Sequence, residues 1–485
     1  MTNWDADVIV VGYGGAGAMA ALAAESAGAK VLLLEKMEQG GGSTHEAGGS
    51  LRPPQDPELA ARHYTALSFG TTPLEVMRTL AQGETELAPE LERLGGQVVP
   101  IDVSPLPFPL RRMHSAYPNV EGSEGLGLRR RIRPKPGEGG GEALWNLLAA
   151  NVAQRPNIQV GLGLGGARLY RNSTGTGDRV DAIEVVNRSG QKQRFTARRG
   201  IVLTCGGFAW NRTMTSDYLG SDITALSPPG RATGDGIKMA VAVGADLWHM
   251  NAIAVAFGYR FPGHESAFKA QIPATGYLIV DRNGQRYFDE SSVDTHAALN
   301  GMSTFNGRTG IQERVPSYVI FDERTRQSGP VFDNGTGYNR HFVWSKDNSE
   351  EIERGWIASA ATARGLAEKL GIPGDAVEKT VSEFNRGADS GRDAFGRPAE
   401  QLASISQPFY GIPLWPALLN TQGGPVRNAL GQITDPFGDA VPGLYSAGEI
   451  GSVWGRLYPG SGNVSEAMVF GRISGRNAYQ LGGDS

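Results

Sequence analysis

A single cysteine, Cys205, stands among 485 residues, and that scarcity excludes a good deal at once. Disulfides within the chain, zinc clusters, iron–sulfur ligation and haem attachment through paired cysteines all need more thiols than this. No apolar run approaches the roughly 18 residues of a membrane-spanning helix, and the first apolar strand begins too early to leave room for a signal peptide. Charge of one sign is equally scarce. The 46 Lys and Arg balance 50 Asp and Glu to a net −4, with no basic excess to hold nucleic acid. The expectation is a cytoplasmic chain of ordinary soluble composition, with two or three domains and an ample core. Its one local charge run, Arg129-Arg130-Arg131 with Arg133 and Lys135, reads as a solvated loop rather than a binding patch, though it could still attract an anionic substrate. Cys205 ends the apolar run from Ile201 and reads as a small buried core residue.

Glycine is abundant instead, at 68 residues, and it is concentrated at motifs. The apolar Val8-Ile9-Val10-Val11 leads into Gly12-Tyr13-Gly14-Gly15-Ala16-Gly17. An alanine-rich helix follows, then a second apolar strand Val31-Leu32-Leu33-Leu34, then Glu35-Lys36. This is the layout of a dinucleotide site. Gly12 permits the tight turn, Gly14 lets the backbone approach a pyrophosphate, and Gly17 allows close helix packing on the strand, with Gly15 and Ala16 between them expected among the cofactor-binding residues. The helix N-terminus faces the phosphates while Glu35 accepts the adenosine ribose hydroxyls.

A second glycine-dense loop, Gly40 to Gly49, offers unhindered backbone N–H groups and the hydroxyls of Ser43 and Thr44. A nicotinamide that comes and goes needs no such clamp, whereas a flavin held along its length does. With Asp7, Glu35-Lys36 and this loop, the chain resembles the FAD-binding flavoproteins of the fumarate reductase and 3-ketosteroid dehydrogenase superfamily. The resemblance extends to a second motif, Leu444-Tyr445-Ser446-Ala447-Gly448-Glu449.

The resemblance implies an α/β fold: a Rossmann-like FAD-binding domain of the glutathione-reductase type with an inserted α+β cap domain that closes over the flavin. The expected division is 1–250 for the first part of the FAD domain, 251–416 for the cap and 417–485 for the return segment. It further implies non-covalent FAD held by Gly42, Ser43, Thr44, Gly48, Gly49, Gly207, Thr233, Asp235, Gly448, Glu449, Gly462, Asn463 and Val464. Covalent attachment would place a histidine six residues before the paired glycines, and His45 is three before Gly48.

Periodicity places helices across residues 55–95 and another from Glu142 after the Gly137–Gly141 loop. Strands are expected near Gln159, over Ala182–Val186 and over Gly200–Leu203, with a hairpin turn at Asn187–Gln191. A helix from the Thr233-Gly234-Asp235-Gly236 turn ends at Gly244. Tyr277 to Phe288 reads as a hairpin with Asn283-Gly284 at its tip. A last helix runs from about Val464 to Tyr479.

The reaction is read from Tyr458-Pro459-Gly460-Ser461-Gly462-Asn463. Fumarate reductases carry an arginine before the paired glycines to grip a carboxylate. A tyrosine there resembles the ketosteroid dehydrogenases, whose phenol and second glycine N–H hold a ketone oxygen. Hydrogen bonds from Tyr458 and the Gly462 amide would stabilise an enolate, and the helix N-terminus would favour charge on the reduced flavin. Asn420-Thr421-Gln422-Gly423-Gly424 lacks the histidine of the dicarboxylate reductases. Four residues past Glu290, where the ketosteroid enzymes have a tyrosine base, this chain has Asp294, with His296 as its rival for taking the proton. Tyr117 matches a further pocket tyrosine loosely. The expectation is desaturation of a cyclic ketone, small or steroidal, with oxygen, a quinone or a redox protein as electron acceptor. An ene-reductase and a flavin-bound electron carrier are the alternatives.

Overall fold

The computed structural model describes residues 6–101, 117–171, 178–291 and 302–482. Strand β1, Ala6–Val11, is buried along nearly all its length because apolar clusters lie on both sides of it. Val8 and Val10 enter one cluster, Ile9 and Val11 the other, as expected of a strand covered on both faces. At its end Gly12 turns with φ +110°, and a Cβ there would lie 2.4 Å from the Thr204 carbonyl oxygen. Helix α1, Gly15–Ser26, begins at once. On its first turn a Cβ at Gly17 would fall 1.9 Å from the Gly12 carbonyl oxygen, which fixes how tightly helix and strand meet. Strand β2, Val31–Leu34, then returns parallel to β1, with Val8 beside Val31 and Val11 beside Leu34.

Among the described residues this sheet has eight strands. Its path runs Gln432–Thr434, Ala440–Ser446, Lys192–Leu203, β1, β2 and Ile158–Gly161, parallel from Ala440–Ser446 onward. Leu164–Arg171 and Val180–Asn187 form an antiparallel excursion against Lys192–Leu203. The expected turn at Asn187 closes it, the Asn187 side chain accepting from the Gln191 N–H at 2.9 Å. The strand expected at Gly200 is the end of a longer one, since the excursion continues straight into the parallel sheet. The final helix, Gly462–Gln480, packs along α1, so the chain's end completes the domain its beginning started.

The cap centres on an antiparallel sheet built around one long strand, Phe409–Thr421. Ile253–Tyr259 and Ser317–Asp322 flank it, and Tyr277–Val280 pairs with Ser317–Asp322. Helices Ala363–Leu370 and Gly374–Ser390 lay Leu366, Val377, Val381 and Phe384 on one face. An aromatic cluster of Phe261, Phe268, Phe332, Trp344 and Trp356 lines the other. The Asn283-Gly284 turn exists, with Asp281 N–H bonded to the Gln285 carbonyl at 2.9 Å. It does not close the expected hairpin, because Tyr277–Val280 takes its ladder from Ser317–Asp322 instead. The long strand runs on past residue 416, and Ala417 and Leu418 pair with Thr224 and Ala225, so the boundary expected at 416 falls inside a continuous strand. No helix among the described residues is long and apolar enough to cross a membrane.

Candidate active site

Four parallel strands end at one place. Gly12–Ala16 follows β1, Glu35-Lys36 follows β2, Thr204–Gly206 follows Lys192–Leu203, and Ala447–Glu449 follows Ala440–Ser446; all of them line a single cavity of about 760 Å³. A crevice at the carboxyl ends of a parallel sheet is where open α/β folds bind nucleotides, and this volume lies in the range of cofactor sites. Gly42, Ser43, Thr44, Gly48 and Gly49 form a second wall, and Asn463 and Val464 of the final helix close the far end.

The Glu35 carboxylate is aimed by backbone alone. Tyr13 N–H donates to Oε2 at 2.8 Å and Met37 N–H to Oε1 at 2.9 Å, leaving lone pairs toward the cavity for ribose hydroxyls. The Gly15 N–H donates to Thr44 Oγ1 at 3.1 Å, which ties the two glycine loops together and leaves the threonine hydroxyl as a donor toward a phosphate. Glu449 is half-buried in the cavity wall, where desolvation pushes its carboxyl up to about 7; the Thr421 N–H donates to it at 3.2 Å. Arg427, buried beneath, pairs with Glu466 at 3.0 Å and donates to the Gly448 carbonyl at 2.7 Å, fixing the turn that presents Glu449. Cys205 lines the cavity as well as the core; its thiol donates to the Val11 carbonyl and burial pushes it up to about 12, so it is a thiol and not a thiolate.

At the far end Tyr458 is buried, its ring set edge-on to Trp454 with centroids 6.1 Å apart. The Asn463 N–H donates to its hydroxyl at 3.3 Å, so the phenol's own proton is directed elsewhere. Asn463 Nδ2 donates to Asn420 Oδ1 at 2.7 Å, while Asn463 Oδ1 is buried without a partner among the described residues, an acceptor suited to a flavin ring N–H. Gly462 stands behind this pair, where a Cβ would lie 2.4 Å from the Trp454 ring. Ser461, the residue that caps the helix, has φ +67°, a left-handed conformation costly for serine and concentrated in other proteins at functional sites.

The other expected residues fall into three groups. Thr233 and Asp235 sit behind Lys36, whose Nζ donates to Thr233 Oγ1 at 2.5 Å and pairs with Asp235 at 3.2 Å; of the three only Lys36 lines the cavity. Gly17 and Gly207 support the walls from outside the lining, Gly207 against the Glu449 carboxylate. Tyr117 is half-buried and not among the lining residues, and Asp294 and His296 lie outside the described residues. His45 bonds Glu46 through Nδ1 at 2.9 Å.

One expectation is overturned. The arginine run is not a solvated loop throughout, because Arg129 and Arg131 line the cavity while Arg130, Arg133 and Lys135 are exposed. The cause is a short strand, Arg130–Ile132, bridged through Arg130 to Leu51, whose period of two sends alternate side chains to opposite sides. Residues missed altogether include Arg231, which lines the cavity and donates to the Gly42 carbonyl, and others from the expected cap. Lys269, paired with Asp333 at 2.6 Å, lines the cavity, and Arg340 reaches Glu142 at 2.8 Å and Glu46 at 3.6 Å across the cap boundary. No local motif marks them; only their cap strands and loops bring them there.

A family profile described as an FAD binding domain matches residues 7–464. The chain is 27% identical over 561 residues to the 3-oxosteroid 1-dehydrogenase of Mycobacterium tuberculosis (strain ATCC 25618 / H37Rv), covering 98% of each. It is also 27% identical over 476 residues to the fumarate reductase (cytochrome) of Shewanella frigidimarina, covering 97% of this chain and 76% of that one. The crystal structure of 3-ketosteroid delta1-dehydrogenase from Sterolibacterium denitrificans, in complex with 1,4-androstadiene-3,17-dione, superposes with a TM-score of 0.82. That match has 21% identity and covers 99% of this chain and 100% of that chain, and it establishes the fold. The cavity is an FAD site on an FAD-binding flavoenzyme fold.

Proposed function

We propose, from the premise that this chain belongs to the FAD binding domain family, that it is a dehydrogenase acting on the carbons beside a ketone, probed best with cyclic ketones. The observation that carries the reading is Tyr458: a buried phenol that lines the FAD cavity and accepts from the backbone at the start of the final helix. Its relatives include both 3-oxosteroid 1-dehydrogenases and fumarate reductases, which supports oxidoreduction of a carbon–carbon bond.

Bound FAD supplies the hydride acceptor. Tyr458 donates its hydroxyl proton to the ketone oxygen, stabilising the negative charge that gathers there when the adjacent carbon loses its proton. That proton goes to Asp294 or His296. The hydride leaves the next carbon, a carbon–carbon double bond forms, and the product is an α,β-unsaturated ketone. The start of the final helix, with Asn463 and Val464 in the cavity wall, would hold the flavin there, and its positive end would favour the negative charge of the reduced ring. A tyrosine in place of an arginine before the glycines, and Asn420 in place of histidine, favour a ketone over a dicarboxylate.

The purified holoenzyme tests this under argon. Cyclohexanones and 3-ketosteroids are expected to bleach the yellow flavin and to yield enones with a dye acceptor. Bleaching by a supplied reductant, followed by re-oxidation with enones and no ketone desaturation, would assign it the reverse reaction.

A further inference from the structure

We propose that the substrate carries a carboxylate, bound by Arg129 and Arg131 at the Tyr458 end of the cavity; the inference deepens the ketone reading and rests on it. Arg129 Nε donates to Ser461 Oγ at 2.7 Å and to Ser50 Oγ at 3.0 Å, and those two hydroxyls bond each other at 2.8 Å. Ser461 lies between Tyr458 and the final helix, so this guanidinium stands beside the proposed carbonyl contact. Arg131 lies on the same side of its strand. Its Cδ is 3.5 Å from where a Gly140 Cβ would be, and its Nε is buried with no hydrogen-bond acceptor among the described residues.

Most other charges around the cavity have a partner, although Arg231 Nε, like Arg131 Nε, is buried without one among the described residues. Lys269 pairs with Asp333, Lys36 with Asp235, and Arg340 with Glu46 and Glu142. Arg231 donates to the Gly42 carbonyl at the phosphate loop. Among the acids, Glu35 is held by two backbone N–H groups, and Glu138 bonds the Asn146 amide and the Lys135 N–H. The expected diphosphate donors are Gly14, Gly15, Ser43 and Thr44, whereas Arg129 bonds Ser461 and Ser50. A half-buried guanidinium with an unmatched N–H is costly, and a planar carboxylate matches its fork. With the ketone oxygen on Tyr458 and the carboxylate on the arginines, two anchors fix which ring carbons face the flavin.

The test titrates the holoenzyme with cyclohexanecarboxylate, which has no ketone to desaturate, and with neutral cyclohexanecarboxamide, reading the perturbed flavin absorbance. The acid is expected to bind about 10-fold tighter or more. Arg129→Gln and Arg131→Gln should each erase that preference, and Arg131→Lys should retain part of it, in variants whose flavin content and melting temperature match the parent. Equal affinity for acid and amide, or a preference untouched by both glutamine variants, overturns the inference whatever ketones are turned over. In parallel, 3- and 4-oxocyclohexanecarboxylate are expected to exceed their methyl esters in kcat/KM by about 10-fold. Acid binding that follows the arginines, with no ketone desaturated, would remove the ketone reading and leave the anion site standing.

Discussion

Asn463 donates its backbone N–H to the Tyr458 hydroxyl at 3.3 Å, joining the loop before the final helix to that helix's first turn. The bond orients the phenol. With its oxygen accepting that bond, the hydroxyl proton points to another group, and Tyr458 lines the cavity. Tyr458→Phe should therefore keep its FAD and lose about 10²–10³-fold in kcat for a ketone substrate. Steady-state assays with a dye acceptor check this, and undiminished turnover would remove the carbonyl contact from the mechanism.

Glu35 offers a separate test at the other end. Its carboxylate holds the Tyr13 and Met37 N–H groups and faces the expected ribose. Glu35→Ala unpairs both donors and removes the ribose acceptor, at about 1.5–3 kcal/mol for each charge-assisted bond lost. FAD affinity should fall at least about tenfold. Reconstitution of apoprotein followed by flavin fluorescence gives the number; wild-type affinity would place the ribose elsewhere.

Arg340 ties the cap to the FAD domain. Its guanidinium, almost wholly buried, reaches Glu142 and Glu46, and the neighbouring Gly337 N–H donates to the Glu46 carbonyl at 2.9 Å. Arg340→Ala leaves a largely buried Glu46 without its cation, a loss expected to cost about 3 kcal/mol. Thermal unfolding should show a lower melting temperature, and limited proteolysis faster cleavage within the cap. A variant as stable and as resistant as the parent would show the latch to be dispensable.

Glu84 sets a pH dependence. It is buried under the final helix, bonded by the Tyr64 hydroxyl at 2.8 Å, and burial raises its carboxyl from 4.5 to about 8. A carboxyl raised in the folded state holds its proton more tightly there than in the unfolded chain. Its contribution to stability is thus full below pH 4.5 and is lost as pH climbs through about 8, with a slope of up to about 1.4 kcal/mol per pH unit. Glu84→Gln should flatten denaturant midpoints between pH 5 and pH 8 relative to the parent. Parallel curves for the two proteins would mean that the carboxyl is not raised in the fold.

The adenosine and diphosphate end was legible because its information is local. Gly12, Gly14, Glu35 and the loop to Gly49 lie within 50 residues, and each acts through backbone the sequence constrains directly. Thr233 and Asp235 were less so, since their placement behind Lys36 depends on where their turn docks. The hairpin at Asn283 failed for a similar reason. Its turn chemistry is local, but Tyr277–Val280 is paired by Ser317–Asp322, about forty residues on.

From the sequence alone came the dinucleotide unit, the second flavin motif and the phenol at Tyr458, because turn, helix start and side-chain identity are written in consecutive residues. Tertiary structure alone decided that Arg129 and Arg131 face the cavity while Arg130 faces water, and that Arg340 and Lys269 arrive from the cap. The physical reason is that a strand three residues long carries no periodic signal of its own. Which of its sides is inside is set by the bridge from Arg130 to Leu51, a partner nearly eighty residues away.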